Sequence, residues 1–270
     1  MAARYPERIV CLTEETTETL YLLGEERRIV GISGYTVRPP RARREKPRVS
    51  AFLSARIEKI VELKPDLVIG FSDLQAEIAR DLAKAGLNVV IFNQRSVEEI
   101  LNTIGMVASL VGASEKGSLL VERLERNLHS IRESAKLFPR KPTVYFEEWD
   151  EPMISAIRWV SELIGIAGGE DVFSDLSFSH AAAGRVIGNP RAVIEKNPEV
   201  IIGSWCGKKF RPEKVASRAG WDSIPAVRNG ELHEVKSADI LQPGPAALTD
   251  GVRRIHDILT DSLRRGSRRH

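Results

Sequence analysis

Lys64-Pro-Asp-Leu-Val-Ile-Gly70 and Asn197-Pro-Glu-Val-Ile-Ile-Gly203 are two versions of one heptapeptide, at a constant offset of 133 residues. Each opens on a polar residue, a proline and an acid, a turn composition. Each then runs through apolar residues rich in Val and Ile and closes on glycine. A run this short, bounded by turn signals, reads as a buried strand of a parallel sheet rather than a helix. A helical segment precedes both copies and a loop follows both. An internal repeat at this distance points to one structural unit built twice.

Outward from the first copy, strands and helices alternate. Strands are predicted at Arg8–Leu12, Arg28–Ile32, Leu67–Gly70 and Val89–Phe92. Helices are predicted at Thr19–Leu23 (with a Thr N-cap and acids in its first turn), Ser54–Leu63, Ala76–Ala85, and from a Ser96/Glu99 capping box to Val111. Ser33–Arg48, rich in Pro and Arg, reads as a loop. Around the second copy, strands are expected at Thr143–Phe146 and Leu232–Val235. Helices are expected at Arg158–Ala167, Glu213–Ala219 and Ala247–Leu263, with a loop at Glu147–Pro152 and a loop-rich stretch over 170–188. Alternation through short loops implies parallel sheets covered by helices.

Between the copies lies Ser114–Phe138, with no proline and with Leu120, Leu124, Leu128, Ile131 and Ala135 at helical spacing. About 24 helical residues would span roughly 36 Å, long for one α/β domain. The expected organisation is an N-terminal lobe over 1–112, a connecting helix over 113–138, a C-terminal lobe over 139–263 and a basic tail over 264–270. The fold class is α/β: two Rossmann-like lobes with mostly parallel sheets, joined by one long rigid helix. The 270 residues suffice for two cores of about 120 residues each.

Composition narrows the function. Hydrophobic residues make up 42% and charged residues 29%, an ordinary balance, and no apolar run is long enough to span a bilayer. Two cysteines, Cys11 and Cys206, make no disulfide framework and read as small core residues. The net charge of +3 and the lack of a basic face interleaved with aromatics argue against nucleic acid. The start, MAARYPERIVCL, goes directly toward a strand without the apolar core of a secretory signal. The expected location is the cytoplasm if the sequence is complete, and the periplasm or another extracytoplasmic space if a signal was removed.

Ligands of parallel α/β sheets bind beyond the C-terminal strand ends. The loops there carry Glu15, Tyr35, Phe52, Phe71, Glu148, Trp149, Trp159, Trp205, Cys206 and Gln242, the expected ligand-binding residues. Aromatics at strand ends suggest a broad apolar wall with polar punctuation, while Trp221 reads as packing. Phosphate-loop, dinucleotide, nucleophile-elbow and paired-histidine zinc motifs are missing, so no catalytic residue, no metal ligand and no intrinsic cofactor is expected. The enzymatic alternative is a two-lobed α/β enzyme using Glu148 or Asp150 as general base. Arg38, Arg95 or Lys208 could hold a smaller or anionic ligand.

The two heptapeptides, the long middle helix, Gly165–Phe173 (GIAGGEDVF) and Leu241–Val252 (LQPGPAALTDGV), in this order, resemble the substrate-binding proteins of ABC importers. The branch is the helical-backbone one (class III), which handles cobalamin, ferric siderophores and haem. The chain is most similar to cobalamin-binding members. The resemblance implies a bilobed, monomeric, non-catalytic protein that captures a corrinoid or iron chelate in an interlobe cleft, with limited closure. It implies that Phe71, Trp149, Trp159 and Trp205 occupy matching aromatic positions. It also implies docking on an ABC permease dimer through one acid per lobe, Glu77 and Glu213. A cytoplasmic relative would instead hold or pass on a corrinoid or metal chelate.

Overall fold

The computed structural model describes residues 5–267. The chain forms two compact units. The first holds the residues through Gln94, then Glu98–Leu124 and Pro243–Pro245; the second holds Arg95–Val97, Glu125–Gln242 and the chain from Ala246 on.

In the first unit, β1 (Ile9–Cys11), β2 (Ile29–Ser33), β3 (Arg48–Ser50), β4 (Leu67–Phe71) and β5 (Val89–Phe92) make a parallel sheet in the order β3-β2-β1-β4-β5. Between them lie α1 (Glu14–Leu22), α2 (Ala42–Glu45), α3 (Ile57–Glu62) and α4 (Ala76–Lys84); α5 (Val97–Leu110) and α6 (Ser114–Ala135) follow. Ile9, Val10 and Cys11 are fully buried, as expected where helices cover both sheet faces. Two clusters form on opposite faces. Ile9, Cys11, Ile32 and Ile69 pack with Leu20 and Val107, and Val10 and Val68 pack with Ile60 and Leu82. Gly112, at φ +72° just after α5, takes a left-handed turn with the Tyr5 ring against it.

The contact boundary falls inside α6, after Leu124. Leu120, Leu124, Leu128 and Ile131 are all buried, so the expected stripe is the packed face of this helix.

In the second unit, β6 (Thr143–Asp150), β7 (Met153–Ser155), β8 (Glu170–Asp171), β9 (Val200–Gly203) and β10 (Leu232–Glu234) form the sheet. Its order is β10-β9-β6-β7, with β8 also on β6; every pairing is parallel except β6–β7. The helices are α7 (Arg158–Ile166), α8 (Arg191–Lys196), α9 (Pro212–Ala216), α10 (Pro225–Asn229), α11 (Ser237–Ile240) and α12 (Val252–Ser267), the last entered through a π-helical turn at Ala247–Gly251. Tyr145, Phe173, Trp205, Phe210 and Trp221 build the aromatic part of its core.

The repeat is structural. Lys64 and Asn197 both adopt left-handed backbone, at φ 46° and 51°. The acid two residues on does the same work in each copy. Asp66 accepts from the backbone N–H of Glu7 (2.8 Å) and Arg8 (3.0 Å), and Glu199 from that of Thr143 (3.1 Å). Each carboxylate satisfies free donors where the neighbouring strand begins. Gly70, one residue before the end of β4, and Gly203, the last of β9, carry no side chain where a Cβ would overlap a following side chain, Gln75 or Phe210.

Three expectations are corrected. Glu147–Pro152 is mostly strand: β6 runs on to Asp150 and turns back antiparallel into β7. Ser33–Arg48 is not all loop, since α2 and the first residue of β3 lie in it. The basic tail from 264 is helical through Ser267, and Arg265 pairs with Glu231 at 2.7 Å; residues 268–270 lie outside the described residues.

Candidate functional site

In the first unit the strand ends form a tied rim. The Gly34 N–H donates to Ser50 O at 2.7 Å, linking the loops after β2 and β3. The Gln75 Nε2 donates to Phe52 O at 3.0 Å, linking the loops after β3 and β4, while its Oε1 accepts the Phe71 N–H. Ser72 sits at φ 75°, an unusual backbone for a residue with a side chain, and its Oγ accepts the Leu74 N–H. These ties leave Tyr35 (56% exposed), Leu53 (67%) and Leu74 (59%) with their apolar bodies in solvent. Three large exposed apolar side chains thus stand on linked loops at the C-terminal end of this sheet, the end at which parallel α/β sheets generally take ligands.

Beside this rim, α1 buries three acids in its first turns. Glu15 is almost wholly buried: Thr13 Oγ1 donates to its Oε1 at 2.5 Å, and its Oε2 has no partner among the described residues. Burial pushes Glu15 up to about 7; burial, and then the charges of Glu15 and Glu18, push Glu14 up to about 8. Glu18 pairs with Arg38 at 2.9 Å. Thr13 stands at the N-cap, but its hydroxyl serves Glu15 instead of the helix backbone. Pro243–Pro245, from the Leu241–Val252 stretch, joins this unit: Gln94 Nε2 donates to Pro243 O at 3.1 Å, and Gly244 lies directly against Glu15.

In the second unit, the end of β6 is a set of buried ion pairs. Glu147, with no exposed surface, accepts from Arg218 (2.6 and 3.0 Å), Tyr145 Oη (2.9 Å) and Trp205 Nε1 (3.0 Å). Glu148 pairs with the buried Arg185 at 2.5 Å. Asp150 accepts from Lys208 and from Lys214 (2.9 Å); burial works to raise it, and the two ammonium groups overcome this and hold it at about 2. Lys208 also lies 4.0 Å from the Trp149 ring centre and 5.0 Å from that of Trp205.

The expected ligand residues therefore fall into three groups. Tyr35 is exposed and Phe52, Trp149, Glu148 and Gln242 are partly accessible. Phe71, Trp159 and Trp205 are buried; Trp159 donates its Nε1–H to Ile240 O at 2.9 Å, and Trp205 packs edge-on against Phe210. Glu15 is buried behind Gly244, and Cys206 is exposed, not the core residue expected. Leu53 and Leu74 were not foreseen. The available signal was a large apolar residue in a strand-end loop, next to Phe52 for Leu53 and between Asp73 and Gln75 for Leu74. Of the cations considered for an anionic ligand, Arg38 and Lys208 are committed to Glu18 and Asp150, and Arg95 is buried. A carboxylate held at about 2 is a feeble general base, so Asp150 does not suit the enzymatic alternative. Among the described residues, no three His, Cys, Asp or Glu side chains gather as a metal group, and no helix is long and apolar enough to cross a membrane.

The periplasmic binding protein model matches residues 9–238, from β1 to α11. The chain belongs to this family. Such proteins are non-enzymatic transport components, and this one is a binding protein. Over 259 residues it is 26% identical to an uncharacterized ABC transporter substrate-binding lipoprotein of Bacillus subtilis, covering 93% of this chain and 79% of the relative. Over 265 residues it is 26% identical to the vitamin B12-binding protein of Vibrio cholerae, covering 94% and 90%. A possible iron-binding (periplasmic solute-binding) protein from Staphylococcus epidermidis shares the fold at a TM-score of 0.81, 22% identity and coverage of 94% and 99%.

Proposed function

We propose that this periplasmic binding protein is the substrate-binding component of an ABC importer, that it works outside the cytoplasmic membrane, and that its cargo is a cobalamin-type corrinoid. The carrying observation is the linked apolar rim of Tyr35, Leu53 and Leu74. A corrin ring is large and largely apolar on its faces, and it needs broad apolar contact more than a few strong charges. Trp149, partly accessible at the end of β6, adds aromatic surface in the second unit. The near-full-length similarity to a vitamin B12-binding protein supports the same cargo.

Glu77 and Glu213 are the docking acids in this reading. Both are exposed, and each lies in the first turn of the helix that follows a copy of the repeated strand, α4 after β4 and α9 after β9. Arginines on a permease would pair with them, fixing orientation more than affinity.

The test is a thermal-shift and absorbance titration with cobalamin, cobinamide, haem and a ferric siderophore. Ligand at a hundredfold excess over its Kd stabilises by about 2.7 kcal/mol. Cobalamin or cobinamide should raise Tm, and Leu53→Asp with Leu74→Asp should abolish the rise. A shift with haem or siderophore alone would keep the importer and overturn the corrinoid. No shift with any of the four would overturn the metal-chelate class.

A further inference from the structure

We infer that the outer edge of the first sheet carries a second binding site, for a phosphate-bearing anion, in the basic cavity beside β3. The cavity has a volume of about 790 Å³ and is lined by α2, β3 and the start of α3. Arg43, Lys46, Arg48, Arg56 and Lys59 line it, and no carboxylate does. The acids closest in sequence are directed elsewhere. The Glu45 carboxylate accepts the Tyr21 hydroxyl at 2.7 Å, and Glu58 is exposed outside the lining. None of the five cations forms an ion pair among the described residues.

Like charges gathered in a concavity repel one another and focus their field outward, which attracts a counter-anion. Lys46 carries a burial cost at this wall. It is partly buried, and desolvation lowers its pKa, with Glu45 and Glu26 only partly offsetting the loss. Arg43 is felt electrostatically by Glu14, an acid that burial keeps largely protonated near neutral pH. An anion in the cavity would offset the Lys46 desolvation.

The walls are ordered rather than draped. The chain leaves β3 and folds straight back, with Ala51 N–H on Ser54 O at 2.7 Å, Arg56 N–H on Val49 O at 3.0 Å, and an antiparallel bridge between Ser50 and Ala55. That hairpin fixes Arg48 on one arm and Arg56 on the other. Ser50 also lines the cavity, and its Oγ, turned away from solvent, has no hydrogen-bond partner among the described residues. β3 is an edge strand, so nothing from the sheet covers this side. Tyr35, Phe52, Leu53 and Leu74 are not in the lining, but Gly34, Ser50, Ala51 and Ser54 are, so this site adjoins the apolar rim from the basic side. A single phosphate would leave most of the volume empty; a diphosphate or a phosphate on a larger body suits five cations better.

The probes are inorganic pyrophosphate, by isothermal titration, and vesicles of phosphatidylcholine with or without phosphatidylglycerol, by co-sedimentation. Both are run at about 0.15 M salt, where long-range attraction is screened. The variant is Arg48→Ala/Arg56→Ala/Lys59→Ala, all exposed positions whose loss spares the core. Cobalamin response serves as a check on its fold. Saturable pyrophosphate binding that the variant weakens by about tenfold or more supports a soluble phosphate ligand. Retention on the anionic vesicles alone, lost in the variant, supports a lipid headgroup as the source. No binding to either probe, or equal binding by parent and variant, overturns the proposal.

Discussion

Arg218→Met tests the electrostatic logic of the second unit most directly. Glu147 is completely buried and takes four hydrogen bonds, two of them from the Arg218 guanidinium. Burial alone would lower Arg218, and Glu147 more than offsets this, so its pKa stands raised. Removing the guanidinium leaves a carboxylate with only a phenol and an indole N–H, in a site water does not reach. Breaking a buried pair from one side costs about 3–5 kcal/mol. Arg218 keeps 16% side-chain exposure, so the lower end of that range is expected. At roughly 2–4 °C per kcal/mol for a chain of this size, Tm should fall by about 10 °C. Urea unfolding followed by tryptophan fluorescence reports on this unit, because all four tryptophans lie in it. Glu147→Gln/Arg218→Met removes both charges and should recover part of the loss, with a coupling of about 1–3 kcal/mol. A cost below about 1 kcal/mol, or strict additivity of the two single changes, would refute the pairing.

Stability should also depend on pH through Glu14 and Glu15. Their folded pKa values, about 8 and about 7, lie above the ordinary carboxylate value, so the folded state binds more protons than the unfolded state across the interval between. The penalty is absent below the unfolded pKa and grows as pH rises, by up to about 1.4 kcal/mol per unit and group. Tm should therefore fall from pH 5 to pH 8, and Glu14→Gln/Glu15→Gln should flatten the slope; an unchanged slope would contradict this. Gly203→Ala forces a methyl group into the Phe210 ring and should cost about 1–3 kcal/mol by urea unfolding. Gly70→Ala should cost a similar amount, because the methyl group meets the buried Gln75 Oε1 that holds the Phe71 N–H, and Ile91 behind it. Glu77→Ala/Glu213→Ala should leave cobalamin affinity intact and abolish transport by the reconstituted importer; undiminished transport would remove the docking role.

Local pattern was enough for most elements, and it failed where distant charges decide the structure. The heptapeptide strands were legible because their apolar runs need nothing beyond burial. The second half of β6 was not. Glu147, Glu148 and Asp150 read as loop because isolated acids do not enter a sheet. They do so here because Arg218, Arg185, Lys208 and Lys214 arrive from 37 to 71 residues away. The same blindness applies to Trp205. Its place after a strand suggested a wall, but its indole N–H is claimed by Glu147, which turns the ring into the core. β3 was missed for a milder reason: three residues beginning with an exposed Arg carry too little pattern to count. Tyr35 was visible as a strand-end aromatic, whereas Leu53 and Leu74 needed the hydrogen bonds of Gln75 and Ser72 to show that their loops hold them outward.

The two copies solve one problem differently, and the difference bears on function. After each repeated strand a missing Cβ admits a side chain from the next loop. In the first unit that side chain is Gln75, whose amide ties the ends of β3 and β4 together and leaves their apolar tips in solvent. In the second it is Phe210, which packs on Trp205 and draws the loop inward. The second unit then fills its strand end with its own ion pairs, Glu147 with Arg218 and Asp150 with Lys208 and Lys214. A ligand gains most from surface that is apolar, exposed and already ordered, because it neither displaces an internal partner nor freezes a loose loop. By that criterion the first unit is expected to supply the larger share of affinity in the proposed site. Substitutions at Tyr35, Leu53 and Leu74 should weaken cobalamin binding more than the exchange of Trp149 for leucine.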